Sequence, residues 1–222
     1  MPAITDEVAA KAMAIHDKLN ATLARVRGNK DLNDDGRLRQ LAKAYTDAKV
    51  QLTSLREQFE GERAATVTKL NREIFGATSV SGADAISLRD AADRASQITD
   101  PADALRLVQQ ANDTGDEVLA RAIAQVAHRN HAGFLGAAWA PVLEAFLAER
   151  PVIAARLTQL EGATTGGLQS DFQMEGHFYL AEPYEFAQVP PGRIAAYAAE
   201  PEPAPKRSLY EEMRQQLGHG PI

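Results

Sequence analysis

The sequence contains no cysteine, few aromatic residues and no long uninterrupted apolar run. Without cysteine, disulfide bonds, thiolate zinc sites and cysteine nucleophiles are excluded. Aromatic residues make up only 6% of the chain, although 45% of it is hydrophobic. Much of that hydrophobic content is alanine, which favours closely packed helices over sheets. The composition therefore predicts an all-α fold.

The sequence also shows no segment that would carry it into or across a membrane. Its least polar stretch, residues 133–148, is interrupted by Pro141 and Glu144 and is too short to span a bilayer. The first residues include Asp6 and Glu7 and lack the apolar core of a secretory signal. We therefore expect a cytoplasmic chain without membrane contact, which could later leave the cell inside a particle.

Acidic residues outnumber basic ones by 30 to 24, and the formal net charge is −6. Neutralising phosphates needs clustered Lys and Arg, so nucleic-acid binding through a broad basic face is not expected. The charges are unevenly distributed, because six of the seven lysines lie before residue 76. This change of composition predicts a domain boundary near Gly76.

The first 76 residues have the pattern of a helical hairpin. Apolar side chains in residues 5–27 recur at alternating steps of four and three, and Gly28 suits a helix end. A second helix over 33–75 carries the same spacing at Leu38, Leu41, Tyr45, Ala48, Leu52, Leu55 and Phe59. The pattern predicts a long antiparallel coiled-coil hairpin over 1–76, whose longer second helix needs further partners.

Capping signals mark shorter helices beyond a small-residue linker at 77–82. These helices are expected at 83–97, 101–112, 115–130, 134–149 and 152–161. Two of these helices have typical starts. Asp100 precedes Pro101 at the start of 101–112, and Thr114 is followed three residues later by Glu117 at the start of 115–130. The connections are short, which predicts a compact helical bundle over 83–161.

The last part of the chain, 162–222, changes in character. Residues 172–186 are rich in aromatic side chains without a helical period, which indicates an extended arm or a small β-hairpin. Prolines at 190–191 and 201–205 are typical of stiff spacers. A terminal helix is predicted to begin at Ser208, with Leu209, Met213 and Leu217 on one face, the layout of a docking peptide.

The exposed side chains of the seam, the arm and the terminal helix form the predicted partner-binding surface. Its residues are Leu38, Leu41, Tyr45, Leu52, Leu55, Phe59, Phe172, Phe178, Tyr179, Tyr184, Phe186, Leu209, Met213 and Leu217. Apolar surface of this extent needs cover, so we expect the chain to bind copies of itself or sister subunits.

One stretch resembles a calcium loop. Asp31, Asn33 and Asp35 match the first three side-chain ligands of an EF-hand or dockerin loop. Ala42 stands at the twelfth position, where such a loop needs a bidentate carboxylate. The alternative is a helix start, with Asn33 as the N-cap and the next two aspartates beside the positive end of the helix. The helix start is the preferred interpretation.

Residues with catalytic potential are sparse. His128 and His131 are three residues apart and could share a helix face, as a metal site requires. No third ligand has suitable spacing, and such side chains suit helix C-termini, so a capping or surface role is expected. The chain also lacks a phosphate loop, a Gly-x-Ser-x-Gly elbow and a His-Glu-x-x-His helix. We therefore predict no catalytic residue, no cofactor and no metal.

An acidic, alanine-rich, cysteine-free chain with a hairpin joined by a Leu-Asn-Asp-Asp-Gly turn resembles the small virion-assembly proteins of tailed phages that infect high-GC bacteria. The first 75 residues carry most of this likeness. It implies a structural role, as a scaffold, a minor head component or a head-tail joining protein. Scaffolds of that group pair a coiled-coil body with a short shell-binding terminal helix, here 208–217. The bundle and the aromatic arm depart from a simple scaffold, which leaves a permanent virion component as an alternative.

Three functional hypotheses follow from the sequence. The leading one is a non-enzymatic assembly protein of a phage particle, which holds neighbouring subunits through the hairpin and the C-terminal arm. The second is a cytosolic helical adaptor that binds a partner peptide in the bundle groove. The third is a metal-dependent enzyme that uses Asp31, Asn33, Asp35 or the histidine pair.

Overall fold

The computed structural model describes residues 2–76, 82–131, 133, 136–164 and 174–201. The described residues form helices and contain no strand, which confirms the predicted all-α class. The α-helices are α1 (Pro2–Gly28), α2 (Asp34–Phe75), α3 (Gly82–Ser96), α4 (Pro101–Thr114), α5 (Glu117–His131), α6 (Ala140–Leu147), α7 (Pro151–Thr164) and α8 (Pro191–Ala199). Short 3-10 helices span Gly136–Trp139 and Tyr184–Phe186, and residues 174–178 form one helical turn.

The chain divides into two compact units. The bundle unit consists of Met1–Thr5 and Glu57–Met174, and the hairpin unit consists of Asp6–Arg56 and Glu175–Ile222. Helix α2 contributes to both units, because it continues without a break through Gly61.

This division differs from the predicted domains 1–76, 83–161 and 162–222. The end of α2 belongs to the bundle unit because Leu70 and Ile74 are buried in its core. The C-terminal residues belong to the hairpin unit, since they share a core with α1 and the first half of α2. A boundary placed where composition changes therefore misses both of these packing relations.

The bundle unit is organised around α5, which packs against α3, α4, α6 and the first 3-10 helix. Its core is built largely from small and medium side chains. Buried residues of these helices include Ala91, Ala95, Ala104, Val108, Ala111, Ala120, Ile123, Ala124, Ala127, Val142 and Phe146. Alanines at these contacts allow helix axes to come close together, because interaxial distance depends on the side chains between them.

The ends of α4 and α5 are set by local capping. Asp100 accepts a hydrogen bond from the backbone N–H of Asp103, as predicted, and Pro101 occupies the first turn of α4. Gly115 ends α4 with φ of 72°, a left-handed conformation that glycine adopts at little cost. The cap of α5 is Asp116, whose carboxylate accepts from the N–H of Leu119. The prediction that Thr114 caps α5 is wrong, because α4 extends through Thr114.

The predicted helix over 134–149 is shorter in the structure and begins later. The 3-10 helix Gly136–Trp139 leads into α6, which starts at Ala140 with a proline in its first turn. A Cβ atom at Gly136 would lie 1.9 Å from the backbone oxygen of His131, so only glycine fits this approach. Trp139 is buried in the bundle core, as expected for the single tryptophan of the chain.

The core of the hairpin unit joins three parts of the chain. Leu19, Leu23 and Val26 of α1 are buried with Leu41, Ala42, Tyr45 and Ala48 of α2. Phe186 and Ile194 complete the same cluster, and Phe186 is fully buried. The rings of Tyr45 and Phe186 have centroids 6.4 Å apart, within the range of favourable aromatic pairs. The coiled-coil geometry expected for α1 and α2 stays a prediction.

Residues 174–201 are therefore not the extended arm or β-hairpin predicted over 172–186. They form a helical turn, a 3-10 helix and α8, connected by short turns. The N–H groups of Arg193 and Ile194 donate to the backbone oxygen of Pro190, which starts α8. The two prolines at 190–191 open a helix here, because proline suits the first helical position.

Candidate binding surfaces

Arg27 holds the C-terminal segment, residues 174–201, against α1. Its Nε and Nη2 atoms donate to the two carboxylate oxygens of Glu185 at 2.6 and 2.9 Å. The same guanidinium lies 4.7 Å from the centre of the Tyr184 ring. The hydrogen bonds from Arg27 lower the pKa of Glu185, so the carboxylate stays charged in mildly acidic solution. A bidentate pair of this kind fixes orientation as well as position.

Three further contacts hold the segment along its length. The Arg39 guanidinium lies 2.9 Å from the Glu200 carboxylate, and Arg56 lies 2.6 Å from Glu175. Near the start of the segment, Nε2 of His16 lies 2.9 Å from the backbone oxygen of His177. These contacts join residues more than one hundred positions apart, so they determine where residues 174–201 lie on the hairpin.

A cleft of about 300 Å³ lies beside this segment, and we call it the aromatic cleft. It is lined by Tyr45, Lys49, Leu52, Thr53, Arg56, Glu175, Phe178, Tyr179 and Leu180. Tyr179 is 72% exposed, whereas Leu52 at the base is buried. Burial raises the pKa of the Tyr45 hydroxyl, and Glu182 and Tyr179 act in the same direction. Aromatic rings beside an arginine are the composition of binding hot spots between proteins.

A second cleft, of about 310 Å³, lies between α1 and α2, and we call it the interhelix cleft. It is lined by Ile15, Lys18, Leu19, Thr22, Arg25 and Val26 of α1, and by Gln40, Lys43, Ala44, Asp47, Ala48 and Gln51 of α2. At its base, Leu19, Val26 and Ala48 are already buried in the hairpin core, so the half-buried Ile15 and Ala44 supply its open apolar surface. The two clefts share no lining residue.

The rim of the interhelix cleft is charged. Lys18, Arg25 and Lys43 are exposed cations, and Asp47 is an exposed carboxylate. Within the part of the chain that the structure describes, none of these four groups forms an ion pair. An apolar floor between charged walls suits an amphipathic helix that carries charges beside its apolar face.

The residues that resemble a calcium loop form a helix start. Oδ1 of Asn33 accepts a hydrogen bond of 2.8 Å from the N–H of Gly36, which confirms Asn33 as the N-cap of α2. Asp34 pairs with Arg37, and Asp35 pairs with Arg39 at 2.6 Å. The acidic side chains therefore lie at the positive end of the helix and bind their own neighbours.

The two histidines of α5 have separate surroundings. Nδ1 of His131 lies 2.8 Å from the backbone oxygen of Gly136, whereas His128 lies against Phe75 with ring centroids 5.5 Å apart. Burial lowers the pKa of His128, and His131 lowers it further, against an opposing effect of Glu161. Among the described residues, no three His, Asp or Glu side chains are grouped so that they could hold a metal ion.

In the bundle unit, Glu117 binds two arginines. Its carboxylate accepts hydrogen bonds from Arg121 at 2.9 Å and from Arg150 at 2.7 Å. Burial acts to raise the pKa of Glu117, but the two arginines outweigh that effect and lower it. Arg121 also donates to the backbone oxygens of Glu73 and Ile74 at 3.1 and 2.9 Å. These charges satisfy the last carbonyls of α2 and tie α2 to α5.

The predicted partner-binding residues fall into four groups. Leu41, Tyr45, Leu52 and Phe186 are buried within the chain. Leu38, Leu55, Phe59 and Phe178 are half-buried, whereas Tyr179 and Tyr184 are exposed. Phe172, Leu209, Met213 and Leu217 lie outside the described residues. Phe186 thus packs in the core of its own hairpin unit. The apolar pattern of the sequence does not indicate the cleft residues Lys49 and Arg56, because they are charged.

None of the described helices combines the length and the apolar character needed to cross a membrane. Comparison of the chain with models of protein families, with curated proteins and with solved structures finds no match.

Proposed function

We propose that this chain is a non-enzymatic assembly protein that holds neighbouring protein subunits together through the aromatic cleft of its hairpin unit. The observation that carries the proposal is the composition of that cleft. Tyr179 projects into solvent beside Phe178, with Arg56 and Lys49 close by and Leu52 below. Exposed tyrosines next to arginine over an apolar base provide the contact area and polar groups on which protein interfaces depend.

The use of charged residues within the chain supports a structural role. Arg27, Arg39 and Arg56 fasten the C-terminal segment, and Arg121 and Arg150 join helices of the bundle. The guanidinium groups of Arg27, Arg39 and Arg56 stabilise the arrangement that presents the cleft, which lies in the same unit. The likeness of the hairpin sequence to virion-assembly proteins of tailed phages suggests that the subunits belong to a phage particle, assembled in the cytoplasm.

The proposal predicts that the full chain associates with itself in a way that depends on Tyr179. Light scattering over a range of protein concentrations should give a mass that rises above that of the monomer. Tyr179→Ser should weaken this association about tenfold or more, since a hot-spot tyrosine contributes upward of about 1.4 kcal/mol. Tyr179 is exposed, so its replacement leaves the packed core intact.

Tyr184→Ser is the matched control. Tyr184 is exposed to the same degree, 73% against 72%, but it lies outside the cleft and its ring already contacts Arg27. We expect the control to associate as the unchanged protein does. A monomer at every concentration would overturn the proposal, as would equal effects of the two substitutions. Capture of one unrelated regulatory protein in place of further copies would instead favour an adaptor.

A further inference from the structure

The described chain ends beside the interhelix cleft. Arg39 holds Glu200 and donates from Nη1 to the backbone oxygen of Pro201 at 3.4 Å. The next residue along α2, Gln40, lines the cleft. Residues 202–222 therefore continue from a point adjacent to one end of this groove.

The length of the following sequence matches the length of the groove. Six residues, 202–207, connect Pro201 to the predicted terminal helix and can span up to about 20 Å. The predicted helix 208–217 would be about 15 Å long. Along α2 the cleft extends from Gln40 to Gln51, which is about 16 Å at the rise of an α-helix. The terminal helix can thus reach the groove and fill its length.

The side-chain pattern of the terminal helix also fits the groove. Leu209, Met213 and Leu217 share one face of the predicted helix, which suits the partly exposed apolar side chains of the cleft, Ile15 and Ala44. At 100° per residue, Glu212 lies to one side of that apolar face and Arg214 lies to the other. The rim offers both partners on opposite walls, with cations at Lys18 and Arg25 of α1 for Glu212 and a carboxylate at Asp47 of α2 for Arg214.

We propose that residues 208–217 dock as an amphipathic helix in the interhelix cleft of their own chain. The short tether favours this occupant over a second copy, because a linker of matched length gives an effective concentration in the millimolar range. The docked helix covers the partly exposed Ile15 and Ala44 and adds one more helix to α1, α2 and α8 of the hairpin unit.

This inference is independent of the proposed function, because the aromatic cleft and the interhelix cleft have no residue in common. Self-association lost in Tyr179→Ser bears only on the proposed function. Occupation of the interhelix cleft is read by a separate experiment, so either conclusion can fail alone.

Disulfide trapping in the full chain tests the docking directly, since the natural sequence has no cysteine. Ala44→Cys places a thiol in the cleft and Met213→Cys places one on the apolar face of the terminal helix. Under mild oxidation we expect rapid formation of a disulfide within one chain, seen as faster migration in a non-reducing gel. Ala44 is half-buried and cysteine is small, so the hairpin core tolerates the change.

The matched control pairs Met213→Cys with Val50→Cys. Val50 is on α2 and is 63% exposed, but it does not line the cleft. The cleft pair should form the intrachain disulfide at least about tenfold faster than the control pair, reflecting effective concentration. Adding Leu209→Glu and Leu217→Glu to the cleft pair should remove that advantage. A second rim pair, Arg25→Cys with Glu212→Cys, leaves every apolar contact in place and should also react quickly.

Two outcomes would overturn the proposal. Equal rates for the cleft and control pairs, with the rim pair equally slow, would mean that the terminal residues do not occupy the cleft. A disulfide that joins two chains, with little intrachain product at low protein concentration, would identify a second copy as the occupant.

Discussion

The two units of this molecule are stabilised in different ways. The bundle unit is built mainly from one continuous stretch, Glu57–Met174, and its core contains many alanines at helix contacts. The hairpin unit joins Asp6–Arg56 to residues from Glu175 onward, and Phe186 and Ile194 complete its core from the distant part. Partly exposed arginines then fasten that part to the hairpin. The bundle therefore depends on many small local contacts, and the hairpin on a few long-range ones.

The largest expected effect comes from removing the ring that completes the hairpin core. Phe186→Ala should cost about 3–5 kcal/mol, because a fully buried phenylalanine leaves a cavity. Hydrogen exchange in residues 174–201 should lose protection. The unfolding midpoint in urea read from Trp139, the only tryptophan, should stay close to that of the unchanged protein.

Phe146→Ala gives the opposite pattern and serves as the control. Phe146 is buried in the bundle core, so the midpoint read from Trp139 should fall while residues 174–201 keep their protection. If each substitution lowered protection equally in both units, the contrast between them would be mistaken.

A smaller effect separates the arginines of the two units. Arg121 is only 12% exposed and donates to backbone oxygens and to Glu117, so Arg121→Met should cost about 2 kcal/mol. The Arg27 side chain is 35% exposed. Arg27→Met should therefore lower the free energy that protects residues 174–201 from hydrogen exchange by about 1 kcal/mol or less. Added salt should reduce the effect of Arg27→Met much more than that of Arg121→Met. Equal salt dependence would contradict this difference in environment.

The smallest effect concerns acid sensitivity and is confined to the bundle. Burial lowers the pKa of His128 from its usual value of 6.5, and its Nδ1 has no hydrogen-bond partner among the described residues. The unfolded chain binds a proton at His128 more tightly than the folded chain does. The stabilisation contributed by the neutral His128 is therefore complete above about pH 6.5 and is lost as the pH falls. The urea midpoint read from Trp139 should therefore decrease between pH 7.5 and about pH 5.5.

His128→Phe should flatten this pH dependence, since phenylalanine cannot take up a proton. His16→Gln, in the hairpin unit, should leave the Trp139 profile unchanged. A profile as steep in His128→Phe as in the unchanged protein would assign the acid sensitivity to other groups.

The sequence predicted those features that depend on neighbours in the chain. The bounds of α1 and α2, the Asp100 cap and the Asn33 cap follow from spacing and from side chains within four residues. The division into units could not be predicted in the same way, because Arg27 and Glu185 lie 158 positions apart and leave no periodic signal. Phe186 is a similar case, since nothing next to it indicates that α2 covers it.

Helix α8 is different, because its signal was present in the sequence. Pro191 at the first position precedes an alanine-rich run, just as Pro101 opens α4. Two adjacent prolines are also typical of a spacer, and only the alanines that follow distinguish a helix start from one. The predicted surface residues Tyr179 and Tyr184 are exposed, but the charged side chains that border the aromatic cleft required three-dimensional information.

The late position of Phe186 and Ile194 in the chain also determines the order of events during synthesis. The ribosome releases the stretch that forms the bundle before it releases the residues that complete the hairpin core. Until Ile194 has emerged, Leu41 and Tyr45 remain without part of their cover. A newly made chain is therefore most prone to associate with its neighbours in the interval before Phe186 and Ile194 have emerged.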